Sequence, residues 1–308
     1  MISAMRVVSL LASGTEIVCA LGAGDWLIGR SHECDNPSWV ARLPCCSSPA
    51  FDVHASSGAI DAEVRRRLKA KEPLYHIDAP MITQLKPDLL IAQAHCEVCA
   101  VTPQNVEDAH CHLGKSQVLA LQAGTLAGIY EGVTNIAQAI DRASAGRQLV
   151  QTMQQRFEEI RGAVASKPRP TLVMLEWTDP IFAMANWGPE LVEIANGELV
   201  LGHAGQHSQA IDWSDVRRAD PEYLIIAPCG YNLPRALNEI SVMEKYPGWF
   251  DLQAVKRGKV VFADGNLYFN RSGMTVVDTA EIISDILHGT ALHAPPDEPA
   301  WQHYSPGR

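Results

Sequence analysis

Histidine and cysteine residues occur in two short loops that follow predicted strands. His32 and Cys34 lie in the first loop, and Cys96 and Cys99 form a Cys-x-x-Cys motif beside a histidine in the second. Imidazole nitrogens and thiolates bind zinc, iron and cobalt, so the four residues predict a metal site if the loops meet. A structural zinc site would need a second such motif or a His-x3-His pair on a helix, and the sequence has no second Cys-x-x-Cys motif. His203 and His207 have the His-x3-His spacing, but two glycines nearby make a helix doubtful there. A redox pair and a packed loop remain alternative interpretations.

Aromatic residues form a second group near the predicted strand ends. Tryptophan and tyrosine give large, flat contact surfaces at low entropy cost, as a bulky organic ligand requires. The alternative for each tryptophan is a place in the core, and this applies most to Trp213. The aromatic ligand-contact candidates are Trp177, Trp187, Trp213, Tyr231 and Tyr268.

No catalytic set emerges from the spacing of nucleophiles, histidines and carboxylates. Both G-x-x-x-x-G-K-[ST] and G-x-G-x-x-G are absent, so a nucleotide-binding loop is not predicted. Ser13-Gly14-Thr15-Glu16 begins a helix, and the string is typical of ordinary capping as well as of N–H groups that face a ligand. The sequence therefore favours a binding protein over an enzyme.

Composition narrows the class of partner. The 308 residues carry a formal net charge of -10, which argues against nucleic acid and anionic membranes as partners. The 8 cysteines are too sparse for a disulfide scaffold. No window approaches the roughly 18 apolar residues of a membrane span, so membrane insertion is not expected. The printed start leaves no room for a secretion signal. We expect a cytoplasmic location, or a periplasmic one if the native N-terminus lies outside this sequence.

Short β-branched runs alternate with amphipathic stretches, which predicts an α/β fold built on parallel strands. In the first half the predicted strands are Val7–Leu11, Leu27–Arg30, Leu89–Gln93 and Gln117–Leu121, and the predicted helices are Thr15–Leu21, Ala59–Ala70 and Pro103–His112. In the second half the predicted strands are Thr171–Trp177, Ile181–Ala185, Leu224–Ala227 and Val260–Ala263.

The stretch from 125 to 166 has no proline and keeps apolar residues at helical spacing. It predicts one long connecting helix, with a kink near Ala145-Gly146, between an N-terminal lobe (1–124) and a C-terminal lobe (167–289). A Pro-acid turn before a buried strand occurs in both halves, at Pro87-Asp88 and Pro221-Glu222, which indicates similar lobes. Residues 290–308 predict a loosely ordered tail. Two such lobes place a ligand cleft at the carboxyl ends of their strands.

Four stretches carry a family resemblance. Arg6–Ile17 with Ala20-Leu21-Gly22 resembles the start of class III periplasmic-binding-protein-like chains, which bind cobalamin, ferric siderophores and haem. Ser31–Asp35, Cys96–Val101 and Glu176–Trp187 are similar to a subgroup described as cobalamin-binding. The resemblance implies two Rossmann-like lobes joined by a rigid helix, with the ligand between the lobes. It also implies an ABC-transporter permease as a partner.

The leading hypothesis is therefore non-catalytic binding of cobalamin or a related corrinoid, for uptake, carriage or sensing. Flat aromatic residues would contact the macrocycle, and His32, Glu33 or the Cys96 loop would contact amide groups or cobalt. The same fold accepts haem or a ferric siderophore, but an anionic siderophore needs several arginines, and only Arg30 and Arg271 qualify. The alternative of another class is a metal-dependent enzyme or redox protein that uses the His/Cys loops.

Overall fold

A computed structural model describes residues 5–94, 101–108, 116–292 and 298–306 of the chain. It divides the chain into two compact units, Met1–Thr152 and Met153–Arg308. Each unit has its own sheet, flanked by helices. The predicted α/β class is confirmed.

The strands of unit 1 alternate with its helices. The strands are β1 (Val7–Ser9), β2 (Leu27–Arg30), β3 (Ser47–Pro49), β4 (Tyr75–Ile77), β5 (Leu89–Gln93) and β6 (Gln117–Leu121). The helices are α1 (Ala12–Ala20), α2 (Ser57–Ala70), α3 (Ala79–Leu85), α4 (Pro103–Asp108), α5 (Leu126–Ala139) and α6 (Ala143–Val164), the last of which crosses the unit boundary. The predicted extension of α4 to His112 lies outside the described residues.

The main sheet of unit 1 has the order β2-β1-β5-β6, and all its neighbours are parallel. Parallel strands covered on both faces need continuous apolar runs, and Leu89–Gln93 is buried along its whole length. Side-chain caps begin helices α2 and α5. Ser56 accepts a hydrogen bond from the backbone N–H of Ala59, and Thr125 accepts one from the backbone N–H of Gly128. The four parallel strands end at one edge of the sheet, which is called the exit edge of unit 1.

The sheet of unit 2 is mixed. Its strands are β7 (Thr171–Thr178), β8 (Ile181–Ala183), β9 (Glu198–Leu199), β10 (Gln209–Ala210), β11 (Tyr223–Ile226), β12 (Val260–Ala263) and β13 (Trp301–His303). The order is β10-β8-β7-β11-β12-β13, and β9 pairs with β7. The helices are α7 (Gly188–Ile194), α8 (Trp213–Ala219), α9 (Leu233–Asn238), α10 (Ile240–Met243), α11 (Gln253–Lys256) and α12 (Val276–His288). The parallel strands β7, β11 and β12 define the exit edge of unit 2.

The two Pro-acid turns occupy matching places. Lys86 and Asp220 precede them with left-handed backbones, at φ 45° and 36°. Each turn leads into a strand that pairs on both sides with parallel neighbours, β5 in unit 1 and β11 in unit 2. At these turns, the sequence similarity between the two halves is therefore matched by a similar backbone conformation.

Two sequence predictions differ from the structure. The stretch 125–166 forms two helices, because Asp141 adopts a left-handed φ of 54° between α5 and α6, before the expected kink. The predicted loose tail contains β13, which pairs antiparallel with β12. Its residues Trp301-Gln302-His303 are only half-buried or exposed, so they lack the apolar run that signals a strand.

Within the described part of the chain, no helix is long and apolar enough to cross a membrane.

Candidate functional site

The exit edge of unit 1 is built around a buried thiol. Cys34 is 1% exposed and accepts hydrogen bonds from the hydroxyl of Thr15 (3.1 Å) and, in one orientation, from that of Ser31 (3.2 Å). Its own S–H points to the carbonyl of Ser9, with a sulfur-to-oxygen distance of 3.6 Å. Burial raises the pKa of the Cys34 thiol. The thiol is therefore protonated at neutral pH and ties the exits of β1 and β2 to α1.

His32 lies beside this thiol but reaches towards the surface. Its Nδ1 lies 2.9 Å from the Ser47 hydroxyl, and its ring is 5.3 Å from that of Tyr75. Burial, and next the nearby Arg30 guanidinium, lowers the pKa of His32 to about 4. Glu33 lies 4.0 Å from Nε2, but its side chain is 37% exposed, so solvent screens its opposing effect. His32 is a neutral imidazole at pH 7.

The exit edge of unit 2 carries an aromatic group with a guanidinium on it. Trp177 and Tyr231 meet edge to face at a centroid distance of 5.3 Å. The Arg235 guanidinium lies 3.7 Å above the Tyr231 ring, in a cation–π contact. Local sequence explains the placement, because Asn232 caps α9 by accepting from the N–H of Arg235 (3.1 Å). We call Trp177, Tyr231 and Arg235 the aromatic group.

The turn after β12 completes this edge. Asp264 accepts hydrogen bonds from the backbone of Asn266 (2.9 Å) and Leu267 (2.7 Å), which shapes a turn that contains half-buried Tyr268. Gly265 donates to the carbonyl of Tyr231 (2.9 Å). A Cβ at Gly265 would lie 2.1 Å from the Pro228 oxygen, so only glycine fits this approach. The loops after β11 and β12 are therefore bonded to each other.

Comparisons with known proteins agree with this architecture. A family model described as "Periplasmic binding protein" matches residues 7–267. The chain belongs to the periplasmic binding protein family. A relative from Bacillus subtilis (strain 168), "Uncharacterized ABC transporter substrate-binding lipoprotein YvrC", is 22% identical over 92% of this chain and 80% of its own length.

Solved structures share the fold of this periplasmic binding protein. A periplasmic heme binding protein from Pseudomonas aeruginosa superposes with a TM-score of 0.71 at 17% identity, covering 98% of each chain. The periplasmic vitamin B12 binding protein BtuF of Vibrio cholerae gives a TM-score of 0.66 at 20% identity, covering 94% of this chain and 98% of its own. The family prediction is thus confirmed, and the cobalamin-binding subgroup stays a prediction. The names of these relatives give no support to a cytoplasmic location.

The predicted ligand and metal residues of this periplasmic binding protein lie in four different places. His32 and Glu33 lie in the loop at the exit edge of unit 1. Trp177, Tyr231 and Tyr268 lie at the exit edge of unit 2. Cys96 and Cys99 lie outside the described residues.

Trp187 and Trp213 lie elsewhere in unit 2. β8 runs back along β7, with Ile181 beside Thr178 and Ala183 beside Leu175, so the chain leads away from the exit edge before it reaches Trp187. Trp187 is 7% exposed at the start of α7. Trp213 is a core residue: it stacks on Tyr246 at 4.7 Å, and its Nε1 donates to the Pro247 carbonyl at 2.9 Å. The core alternative holds for Trp213.

The predicted metal set of His32, Cys34, Cys96 and Cys99 stays a prediction, because Cys96 and Cys99 lie outside the described residues. Cys34 is sealed and protonated, and within 5–94, 101–108, 116–292 and 298–306 no three His, Cys, Asp or Glu residues are grouped to hold a metal. The two arginines that were counted against an anionic siderophore bond to backbone: Arg30 donates to the carbonyl of Ala41, and Arg271, 5% exposed, donates to that of Asn266. Sequence analysis missed Arg235, although its place three residues after the cap Asn232 was a usable signal.

Proposed function

We propose that this periplasmic binding protein is a non-catalytic receptor for a corrinoid such as cobalamin. The observation that carries the proposal is the aromatic group at the exit edge of unit 2. Trp177 and Tyr231 meet edge to face at 5.3 Å and the Arg235 guanidinium lies 3.7 Å above the Tyr231 ring, so half-buried Trp177 and Arg235 give this edge an apolar ring beside a cation. A corrinoid offers the matching chemistry, because it is a large ring system bordered by amide groups.

His32 and Glu33 supply the second part of the proposal. A neutral imidazole is a ligand for cobalt, and His32 is neutral because its pKa is lowered to about 4. Its Nδ1 is held by Ser47, which leaves Nε2 as the nitrogen that would face a ligand. Glu33, 37% exposed, can accept hydrogen bonds from ligand amides.

Haem is a second candidate, and Arg235 is the observation that favours it. A guanidinium pairs with carboxylates in a two-pronged geometry, and haem carries carboxylates where cobalamin carries amides. The relatives from Pseudomonas aeruginosa and Vibrio cholerae are named for heme and for vitamin B12 respectively, so likeness of fold does not choose between these ligands.

Delivery to an ABC permease is the proposed role of binding. The Bacillus subtilis relative is named as a substrate-binding lipoprotein of an ABC transporter, and the solved relatives are named as periplasmic. We propose that this chain works outside the cytoplasmic membrane in the same way. The metal-enzyme alternative has less support, because Cys34 is committed to hydrogen bonds within unit 1.

The test is a visible absorption spectrum of the purified protein with hydroxocobalamin and, separately, with haemin, after desalting. Retained and shifted corrinoid bands are the expected result, and displacement of a cobalt ligand by His32 would move them. Retention of haemin but not of hydroxocobalamin would identify haem as the ligand in place of a corrinoid. Retention of neither would overturn the proposed function.

A matched pair of variants distinguishes the loss of a ligand contact from general destabilisation of the protein. Trp177→Ala removes a half-buried indole at the exit edge of unit 2, and Trp26→Ala removes one from the opposite end of β2 in unit 1. We expect Trp177→Ala to weaken ligand binding by about tenfold or more and Trp26→Ala to leave it within about twofold. Equal losses from the two variants would contradict the assignment.

A further inference from the structure

The C-terminal segment, residues 298–306, completes the sheet of unit 2 beyond the reach of the family match. That match ends at residue 267, whereas β13 lies at 301–303. β13 pairs antiparallel with β12, with Trp301 opposite Ala263 and His303 opposite Val261. The start of the segment therefore lies beside the end of β12, at the exit edge, and its end lies beside the start of β12.

Tyr304, at the end of the segment beside the start of β12, anchors the segment to the core of unit 2. The backbone N–H of Tyr304 donates to the carbonyl of Val260 (2.9 Å). The Tyr304 ring is 4% exposed and meets Trp249 edge to face at 5.6 Å, and its hydroxyl donates to Glu244 (2.7 Å). These contacts lie in the core of unit 2, at the edge opposite to the proposed site.

The near end of the segment meets the proposed site. The backbone N–H of Asp264 donates to the carbonyl of Ala300 at 2.8 Å, and Ala300 is 4% exposed. Asp264 in turn shapes the turn that carries Tyr268, and the next residue, Gly265, is bonded to the carbonyl of Tyr231. One backbone bond thus links the segment to both loops of the edge.

We propose that the C-terminal segment is a positioning element of the ligand site: through Ala300 and Asp264 it fixes the loops that carry Tyr231 and Tyr268. The inference rests on the proposed function. Without the segment, β12 becomes an edge strand and the turn at Asp264 loses one of its restraints. Ligand binding must then order these loops at the moment of association, which weakens affinity without the loss of a direct contact.

The test compares the parent with a chain that ends at Asp297 and with Tyr304→Phe. Hydrogen exchange over residues 264–270, thermal unfolding, size-exclusion elution and affinity for hydroxocobalamin and haemin are measured for each. We expect the shortened chain to exchange faster over 264–270 and to bind about tenfold more weakly. Tyr304→Phe loses the bond to Glu244 and some thermal stability, and we expect its affinity to stay within about twofold of the parent.

The outcomes separate positioning from general stability. A folded shortened chain with parental exchange and affinity would overturn the inference, as would an equal loss of affinity in Tyr304→Phe. If the shortened chain does not fold, Trp301→Gly weakens the near end of the segment instead, and unchanged exchange over 264–270 in that variant would overturn the inference. If the parent binds neither probe, the proposed function fails, while the exchange comparison still tests the link between the segment and the turn.

Discussion

The exit edges of the two units are built from different chemistry. In unit 1 a thiol and hydroxyls are buried and bonded to one another, with Cys34 1% exposed at the centre. In unit 2 the exit edge carries two rings packed edge to face and a guanidinium over one of them, with Trp177 and Arg235 both half-buried. The first arrangement fixes loops to each other, and the second presents an indole and a guanidinium.

This difference assigns separate tasks to similar scaffolds. A buried polar cluster that is fully bonded holds its loop in one geometry, so unit 1 can fix the orientation of His32. Aromatic residues contribute contact area and tolerate variation in ligand shape, so unit 2 can supply most of the apolar contact. The comparison predicts that changes in unit 2 act on binding and stability together. In unit 1, changes in the buried cluster around Cys34 act mainly on stability, and changes at His32 also act on the pH dependence of stability and on the proposed ligand contact.

Tyr231→Ala gives the largest expected effect. Tyr231 is 2% exposed, touches Trp177 and supports Arg235, so truncation leaves a cavity under two contacts. We expect a loss of about 3–4 kcal/mol in the free energy of unfolding, measured by denaturant titration, together with loss of ligand binding. Tyr231→Phe keeps the ring, and we expect it to cost less than about 1 kcal/mol. Similar losses from both variants would contradict a packing role for the ring.

Acidification gives the next largest effect, in unit 1. The pKa of His32 is lowered to about 4, so between that value and its ordinary 6.5 the unfolded chain binds a proton that the folded chain does not. Stability from this group is present above pH 6.5 and is lost as the pH falls towards 4, by up to about 3 kcal/mol.

The measurement is the free energy of unfolding from pH 7.5 to pH 4 in the parent and in His32→Gln. We expect the parent to lose stability more steeply than the variant over this range. The same substitution at exposed His203 is the control for removal of a histidine. A parental slope in His32→Gln would show that His32 is not buried as a neutral group.

Apart from the two-residue β9, which was not predicted, the sequence predicted the parallel strands within a residue or two, because buried strands such as Leu89–Gln93 are continuous apolar runs. It did not predict β13, because Trp301-Gln302-His303 has no apolar run and pairs as a strand at the edge that β12 offers. The break between α5 and α6 was also misplaced, since apolar spacing continues across Asp141 and the left-handed turn has no strong local signal.

The candidate site was harder to predict than the fold. Trp177 and Trp213 both lie at element ends, and what separates them is the contact of Trp213 with Tyr246 and Trp249, more than thirty residues further along the chain. Cys34 resembles a metal ligand in sequence, yet its hydroxyl partners come from α1 and from the end of β2. Long-range packing decided each of these outcomes.

Cys34→Ala tests the buried cluster of unit 1 and has a smaller expected effect. It deprives the hydroxyls of Thr15 and Ser31 of the sulfur, which we expect to cost about 1–2 kcal/mol in the free energy of unfolding. Cys46→Ala is the matched control, since Cys46 is equally buried and its thiol contacts backbone, with a long 3.8 Å contact to the Pro44 carbonyl. Equal losses of stability in the two variants would show that the hydrogen bonds from Thr15 and Ser31 to Cys34 contribute nothing beyond burial of the thiol.

Arg235→Gln has the smallest expected effect on stability and tests the comparison most directly. An accessible cation–π contact contributes about 0.5–1 kcal/mol, so we expect a loss of that order in the free energy of unfolding. If the ligand carries carboxylates, affinity should fall by about tenfold or more, and Arg235→Lys should restore it only in part because an ammonium lacks the two-pronged geometry. If the ligand carries amides, Gln can replace some of these hydrogen bonds and affinity should change much less.

Titration of the three proteins with hydroxocobalamin and haemin separates these results. A stability loss well above 1 kcal/mol would instead make Arg235 a structural residue and weaken the distinction between a fixing edge in unit 1 and a binding edge in unit 2.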